Sequence, residues 1–180
     1  MIVNVAKLAR EAKVKLPDLI TRPVGRLMYS KMKEKLTIAG RGETVIFDFE
    51  NIKVIDSSFI DEFLVKVIKD AEESDFYIKL RNISAISEIN IDSVFNSYSN
   101  YRDGRLAVIR EELGKNNRYY IGPLTENESD IIDYLRINNH ADSDEMARFC
   151  GQETMALTET LENLLRLRVI RRDNGEYLSV

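Results

Sequence analysis

The run "TVIFDFENIKVIDSSFIDEFLVKVIKDAEE", residues 44 to 73, sets the fold class, because its hydrophobic period changes from strand to helix part-way along. β-branched and aromatic residues fill Val45 to Phe49, which reads as one buried strand. A turn signal at Glu50-Asn51 and a short extended return to Ile55 follow. From Ser57 onward, Phe59, Phe63, Leu64, Val67 and Ile68 recur at helical spacing, a single apolar stripe with Asp61, Glu62, Lys66 and Lys69 facing away. A strand and helix joined this tightly must share a core with further elements of both kinds.

The flanks supply them. A short strand is expected around Ile2 to Val5, then a charged, weakly patterned segment to Leu19. Pro23 suits the first turn of a helix, and Val24, Leu27, Met28 and Met32 follow at helical spacing. Downstream come a strand in "FYIKL", a helix with Ile91, Val94, Phe95 and Tyr98 on one face, and a hairpin-like pair turned at Gly114 to Asn117. Strands alternating with helices point to an α/β layer fold with a small mixed sheet.

The pattern changes at Gly122-Pro123, which sets the expected domains at 1–122 and 123–180. Thr125 with Glu128, and Asp142 with Glu145, form two capping boxes ahead of apolar runs. Gly151 ends the second helix, and Leu157, Leu161 and Leu164 carry the third. "RVIRRDNGEYLSV" reads as a hairpin turned by Asn174-Gly175. Three helices and a hairpin in under sixty residues outline a winged helix.

Residues 123 to 180 hold six arginines, no lysine and twelve acids, a net of -6. The remainder, with 20 basic and 18 acidic residues, carries +2, so neither part is the basic body of a dedicated nucleic-acid binder. One cysteine, Cys150, excludes an internal disulfide framework and fits a reducing cytoplasm. One histidine, His140, removes most metal sites and His-based catalysis. No apolar run approaches the roughly 18 residues of a membrane span. "MIVNVAKLAR" lacks the apolar core of a signal peptide. No phosphate-cradling glycine loop and no catalytic carboxylate spacing appears, so the expectation is a non-enzyme without cofactor or metal.

Two resemblances follow from these motifs. "VIFDFENIKVIDSSFIDEF", supported by "TRPVGRLMYSKMKEKL", resembles the STAS-like family, relatives of the anti-sigma factor antagonists. The antagonists carry Asp-Ser-Ser-Gly, whose second serine, matching Ser58, is phosphorylated by an ATP-binding partner kinase. Phe59 stands here in place of that glycine, and the acidic pair Asp61 and Glu62 is closer to the uncharacterised STAS-like branch. The C-terminal part resembles bacterial winged helix-turn-helix modules, on "TLENLLRLRVIRRDNGEYLSV".

The serines admit two accounts. Ser58 with Asp61 makes a capping box with Asp in place of Glu, and Asp56 or Ser57 could cap instead. Alternatively Ser58 or Ser57 accepts phosphate, adding about -1.5 to -2 charges beside Asp56, Asp61 and Glu62. The resemblance implies a protein partner docked at Asp56, Phe59, Asp61 and Glu62, an ATP-binding kinase or anti-sigma-like protein. On the winged helix, Gln152, Thr154, Thr158, Arg166, Arg168, Arg171 and Arg172 are the candidate DNA contacts. Glu153, Glu159 and Glu162 share that helix and would repel phosphate, which favours protein contact.

The reading is therefore a cytoplasmic bacterial regulatory protein, with a STAS-like docking module and a winged helix as output or second docking unit. The alternative is a transcription regulator that contacts DNA through the winged helix and senses or dimerises through the first domain. A third option is a purely structural adaptor. A homo-oligomer stays open.

Overall fold

The structure, a computed structural model, describes every residue except Asp103 and Lys115. The chain divides into two compact units, Met1–Pro123 and Leu124–Val180.

The first unit is built on a five-stranded sheet in the order β1-β3-β5-β6-β7. Its strands are β1 (Ile2–Asn4), β3 (Thr44–Asp48), β5 (Tyr77–Arg81), β6 (Val108–Arg110) and β7 (Tyr120–Ile121). The first four are mutually parallel and β7 runs antiparallel to β6, so the sheet is mixed. Burial alternates along β3 and β5, and the register sets Val45 beside Ile78 and Phe47 beside Leu80 on one covered face. Each parallel step requires a crossover, and α2 (Arg22–Leu36), α3 (Ser57–Glu62), α4 (Leu64–Ser74) and α5 (Ala85–Tyr101) supply them. Met28, Met32, Phe59, Phe63, Leu64, Val67, Ile91 and Phe95 bury their side chains with Val45, Phe47 and Leu80 in one core.

Several local expectations change. Val5 opens a short helix, α1 (Val5–Glu11), where only a weakly patterned segment was legible; Asn4 caps it by accepting from Lys7 N at 2.8 Å. Leu27 is exposed, while Gly25 takes the inward position on α2. A Cβ on Gly25 would lie 2.7 Å from Glu62 Cβ and 3.1 Å from Phe59 O, so the glycine lets α2 and α3 touch backbone to backbone. The expected single helix after Ser57 is two helices, broken at Phe63, whose φ of -112° departs from helical backbone. The break lets Phe63 stack on Phe59 at 5.1 Å while meeting Phe47 edge-on at 5.9 Å. The turn at Gly114 to Asn117 closes with Gly114 N donating to Arg118 O at 3.0 Å; its Lys115 lies outside the described residues.

A separate two-stranded pair fixes where the candidate site forms. β2 (Asp18–Leu19) runs parallel to β4 (Val54–Ile55), with Leu19 opposite Ile55. One strand feeds α2 and the other feeds α3. The starts of those two helices therefore emerge side by side.

The second unit runs α6 (Glu126–Asn138), β8 (His140–Ala141), α7 (Ser143–Cys150), α8 (Thr154–Arg166), β9 (Ile170–Asp173) and β10 (Glu176–Ser179). Both capping boxes form, at Thr125–Glu128 and Asp142–Glu145. Asn174 and Gly175, at φ 48° and 89°, make the tight hairpin between β9 and β10. Leu157, Leu161 and Leu164 of α8 are buried, as are Ile131, Leu135, Met146 and Val169 of the same unit. His140 starts β8, where Leu178 of β10 pairs with it, and its Nδ1 lies 3.3 Å from Glu176. Cys150 is the last residue of α7, half-buried, and burial raises its thiol pKa. Among the described residues no helix is long and apolar enough to cross a membrane.

Candidate functional site at the start of α3

Asp56, not Ser58, caps α3. Its carboxylate accepts from Phe59 N at 2.7 Å, and both its oxygens accept from Thr21 N at 3.2 Å. Thr21 caps α2 at φ 79°, a left-handed backbone that a β-branched residue rarely adopts, and the Asp56 contact holds it there. The expected Ser58–Asp61 capping box does not form, because α3 already begins at Ser57 under the Asp56 cap, which puts Ser58 inside the helix, and the Asp61 carboxylate is held by Tyr98, Arg22 and Arg102. Asp56→Ala should lower stability by about 0.5 to 2 kcal/mol, the range for losing a helix cap, measured by urea unfolding, and the Thr21 contact is lost with it. A loss under a few tenths would show that the cap is dispensable.

With Asp56 as cap, the two serines are relieved of that task. Ser57 is exposed and Ser58 half-buried, and among the described residues neither hydroxyl makes a hydrogen bond within the protein. Phe59 does not belong with the partner-facing residues. Its ring is fully buried against Phe63, because the apolar stripe of α3 points into the core, so it supports the edge from beneath.

The acidic pair is also relocated. Asp61 and Glu62 were expected to face away into solvent, yet their side chains are 16% and 12% exposed and lie under a layer of cations. Arg22 Nη1 of α2 reaches Asp61 at 2.7 Å and Glu62 at 3.2 Å. Arg26 Nη1 meets Glu62 at 3.1 Å and Lys66 Nζ meets it at 2.8 Å. From α5, the Tyr98 hydroxyl donates to Asp61 at 2.6 Å, and Arg102 Nη1 donates to Tyr98 Oη at 2.8 Å while lying 3.4 Å from Asp61. The surface at this edge is thus headed by guanidinium and ammonium groups. Four cations stand over two carboxylates.

Burial pushes the Asp61 carboxyl up, but the Tyr98 hydroxyl and the Arg22 and Arg102 guanidiniums outweigh it and hold the group below its ordinary 3.8. Lys66, with Arg22 and Arg26, holds Glu62 below its ordinary 4.5 against a smaller opposing effect of burial. A depressed carboxylate contributes stability that is fully present above its unfolded value and is lost as pH falls through its folded one. Unfolding free energy should therefore decline below about pH 4.5 through these two groups. Asp61→Asn with Glu62→Gln should flatten that decline; an unchanged acid limb would show that the cluster is not held as described.

Between these elements opens a cleft of about 140 Å³, walled by Arg22, Ser57, Ser58, Asp61, Ser97 and Arg102 among others. Sequence reading named Ser57, Ser58 and Asp61. It missed Arg22, Ser97 and Arg102, which other helices deliver from 35 or more residues away. Pro23 at a helix start was the one local signal for Arg22; nothing local announces Arg102.

In the second unit, Thr154, Thr158, Glu159 and Glu162 are exposed on α8, and Glu153 is exposed at the N-cap position before it. Thr158 Oγ1 donates back to Thr154 O at 2.8 Å. The amide oxygen and nitrogen of Gln152 are buried, which removes it from the candidate DNA-reading set. Arg168 is half-buried at φ 58°, and Nε of Arg171 is buried. Arg166 is exposed, and the Arg172 guanidinium lies 5.3 Å from the Tyr177 ring centroid. Among the described residues no ion pair joins Arg171 or Arg172 to Asp173 or Glu176.

No curated protein and no solved structure matches the chain. Residues 25–89, which run from the first turn of α2 through β3, α3, α4 and β5 into α5, match the family model of a STAS-like domain of unknown function (DUF4325).

Proposed function

We propose that this is a non-enzymatic bacterial regulatory protein that docks a protein partner through the α3 edge, gated by phosphorylation of Ser58 or Ser57. One observation carries the reading: Asp56 does the capping, so the serine hydroxyls stand open at a cleft rimmed by Arg22 and Arg102. The STAS-like match over residues 25–89 is compatible with a regulatory role and includes this edge. A phosphate on Ser58 would draw both guanidiniums from Asp61 and change the charge seen by a partner while Phe59 and Phe63 keep the core intact. The partner that the family resemblance suggests is an ATP-binding kinase or anti-sigma-like protein.

The helix–strand–helix–helix–hairpin order of the second unit supports its reading as a winged helix that serves as output or second dock. Exposed Glu159 and Glu162 on α8, with Glu153 at its N-cap position, favour a protein over DNA as its contact. The competing reading, a DNA-binding regulator, draws on exposed Arg166 and Arg172.

Incubation with a co-encoded ATP-binding protein and ATP, followed by peptide mass spectrometry, should find phosphate on Ser58 or Ser57, and Ser58→Asp should weaken partner capture. Unmodified serines together with undiminished capture by Ser58→Asp would overturn the gating. A gel shift on mixed genomic DNA at low salt should be absent. A shift that weakens steeply with salt, and less steeply in Arg171→Ala/Arg172→Ala, would favour the DNA reading.

A further inference from the structure

The cleft beside α3 has more hydrogen-bond donors than the protein uses. Among the described residues, Arg22 and Arg102 reach Asp61, Glu62 and Tyr98 through Nη1 alone, with Nη2 and Nε of each guanidinium making no hydrogen bond to them. Ser57, Ser58 and Ser97 contribute three hydroxyls, none of them hydrogen-bonded within the protein among the described residues. The charge on the wall is two guanidiniums against the one carboxylate of Asp61, a surplus of one positive charge. The N-terminal end of α2, at Arg22, adds the positive end of a fifteen-residue helix to the same wall.

We infer that this cleft is a binding site for a phosphate monoester delivered from solution, held by Arg22 and Arg102 with the hydroxyls of Ser57, Ser58 and Ser97. Two half-used guanidinium forks and three hydroxyls exceed what a planar carboxylate can accept. They match the three free oxygens of a phosphate ester, for which bidentate arginine contacts are the strong ones. The volume of 140 Å³ equals that of about five waters. It holds the phosphate and its first ester atoms, so the rest of a larger ligand lies on the open surface. The site does not depend on Ser58 being modified. A phosphate on Ser58 would fill the same space, so that modification and ligand exclude one another.

The test uses the full, unmodified chain, its mass confirming that no serine carries phosphate. Methyl phosphate and acetate are titrated separately at fixed ionic strength, followed by the backbone amide signals of Ser57, Ser58 and Ser97 and the Nε–H signals of Arg22 and Arg102. The expected result is saturable shifts at those positions with methyl phosphate and at least about tenfold weaker binding of acetate. Arg22→Gln/Arg102→Gln should weaken methyl phosphate about tenfold or more, with circular dichroism checking the fold. Ser97→Ala, an exposed hydroxyl lost, should weaken it about threefold and keeps the test decisive if the double variant does not fold. Absence of saturable shifts, equal binding of acetate, or undiminished binding in whichever of these variants folds would overturn the assignment. None of these outcomes bears on whether a kinase modifies Ser58, so the site and the gating reading stand or fall separately.

Discussion

Phe59→Ala should lower the stability of the first unit by about 3–5 kcal/mol, the range for truncating a fully buried aromatic side chain. Phe59 has no exposed surface and stacks on Phe63, which meets Phe47 of the central strand edge-on. Truncation removes the link between α3 and β3 and leaves a cavity that neighbouring rings cannot fill without leaving their rotamers. Hydrogen exchange at the β3 and β5 amides of the full chain isolates the effect, because those strands belong wholly to this unit. Protection should fall there and hold in α6 and α8. Phe59→Leu, which keeps most of the volume, should cost clearly less. Equal losses from both changes would mean that the ring stack carries something beyond filled space.

A loss of similar size is expected from Glu88→Ala, by a different route. Arg110 on β6 and Glu88 on α5 form an ion pair with side chains 6% and 12% exposed. Gly114 passes over the pair so closely that a Cβ there would collide with Arg110 Nη1 and Glu88 Oε1. Removing one partner of such a pair leaves a buried, uncompensated charge, which costs about 3–5 kcal/mol. Replacing both with apolar residues, Glu88→Leu with Arg110→Met, should restore most of the stability, since the desolvation cost of the pair disappears with it. Urea unfolding of the single and double variants decides the matter. A double variant no better than Glu88→Ala would show that Arg110 holds the β6 end through packing alone.

The strand–helix alternation of the first unit was legible because its periodicities are strong: Val45, Phe47, Phe59, Phe63, Leu64 and Val67 lie buried where the pattern puts them. α1 escaped notice because its inner face is carried partly by Ala6 and Ala9, too small to mark a stripe. The helix break at Phe63 escaped for the opposite reason. An unbroken apolar series is equally compatible with one helix or two, and only the demand that Phe63 reach Phe47 decides between them. The serines and Asp61 were found in sequence because they adjoin a helix start. The cations were not, since Arg22, Arg26 and Arg102 become neighbours of Asp61 and Glu62 only through the β2–β4 pairing and the docking of α5. Charge was therefore misjudged locally: an edge that reads as acidic along the chain is presented by the fold as cationic.

Asp56 grips Phe59 N with one oxygen while both of its oxygens face Thr21 N, so a single carboxylate fastens the openings of α2 and α3 to each other. Any load applied at Ser57 is then felt at Arg22 within one bond network, without passing through the hydrophobic interior. The α2 and α3 side of the cleft is thereby one tied wall, set against the α5 side that carries Ser97 and Arg102, and a ligand seated there pulls on both helix starts together.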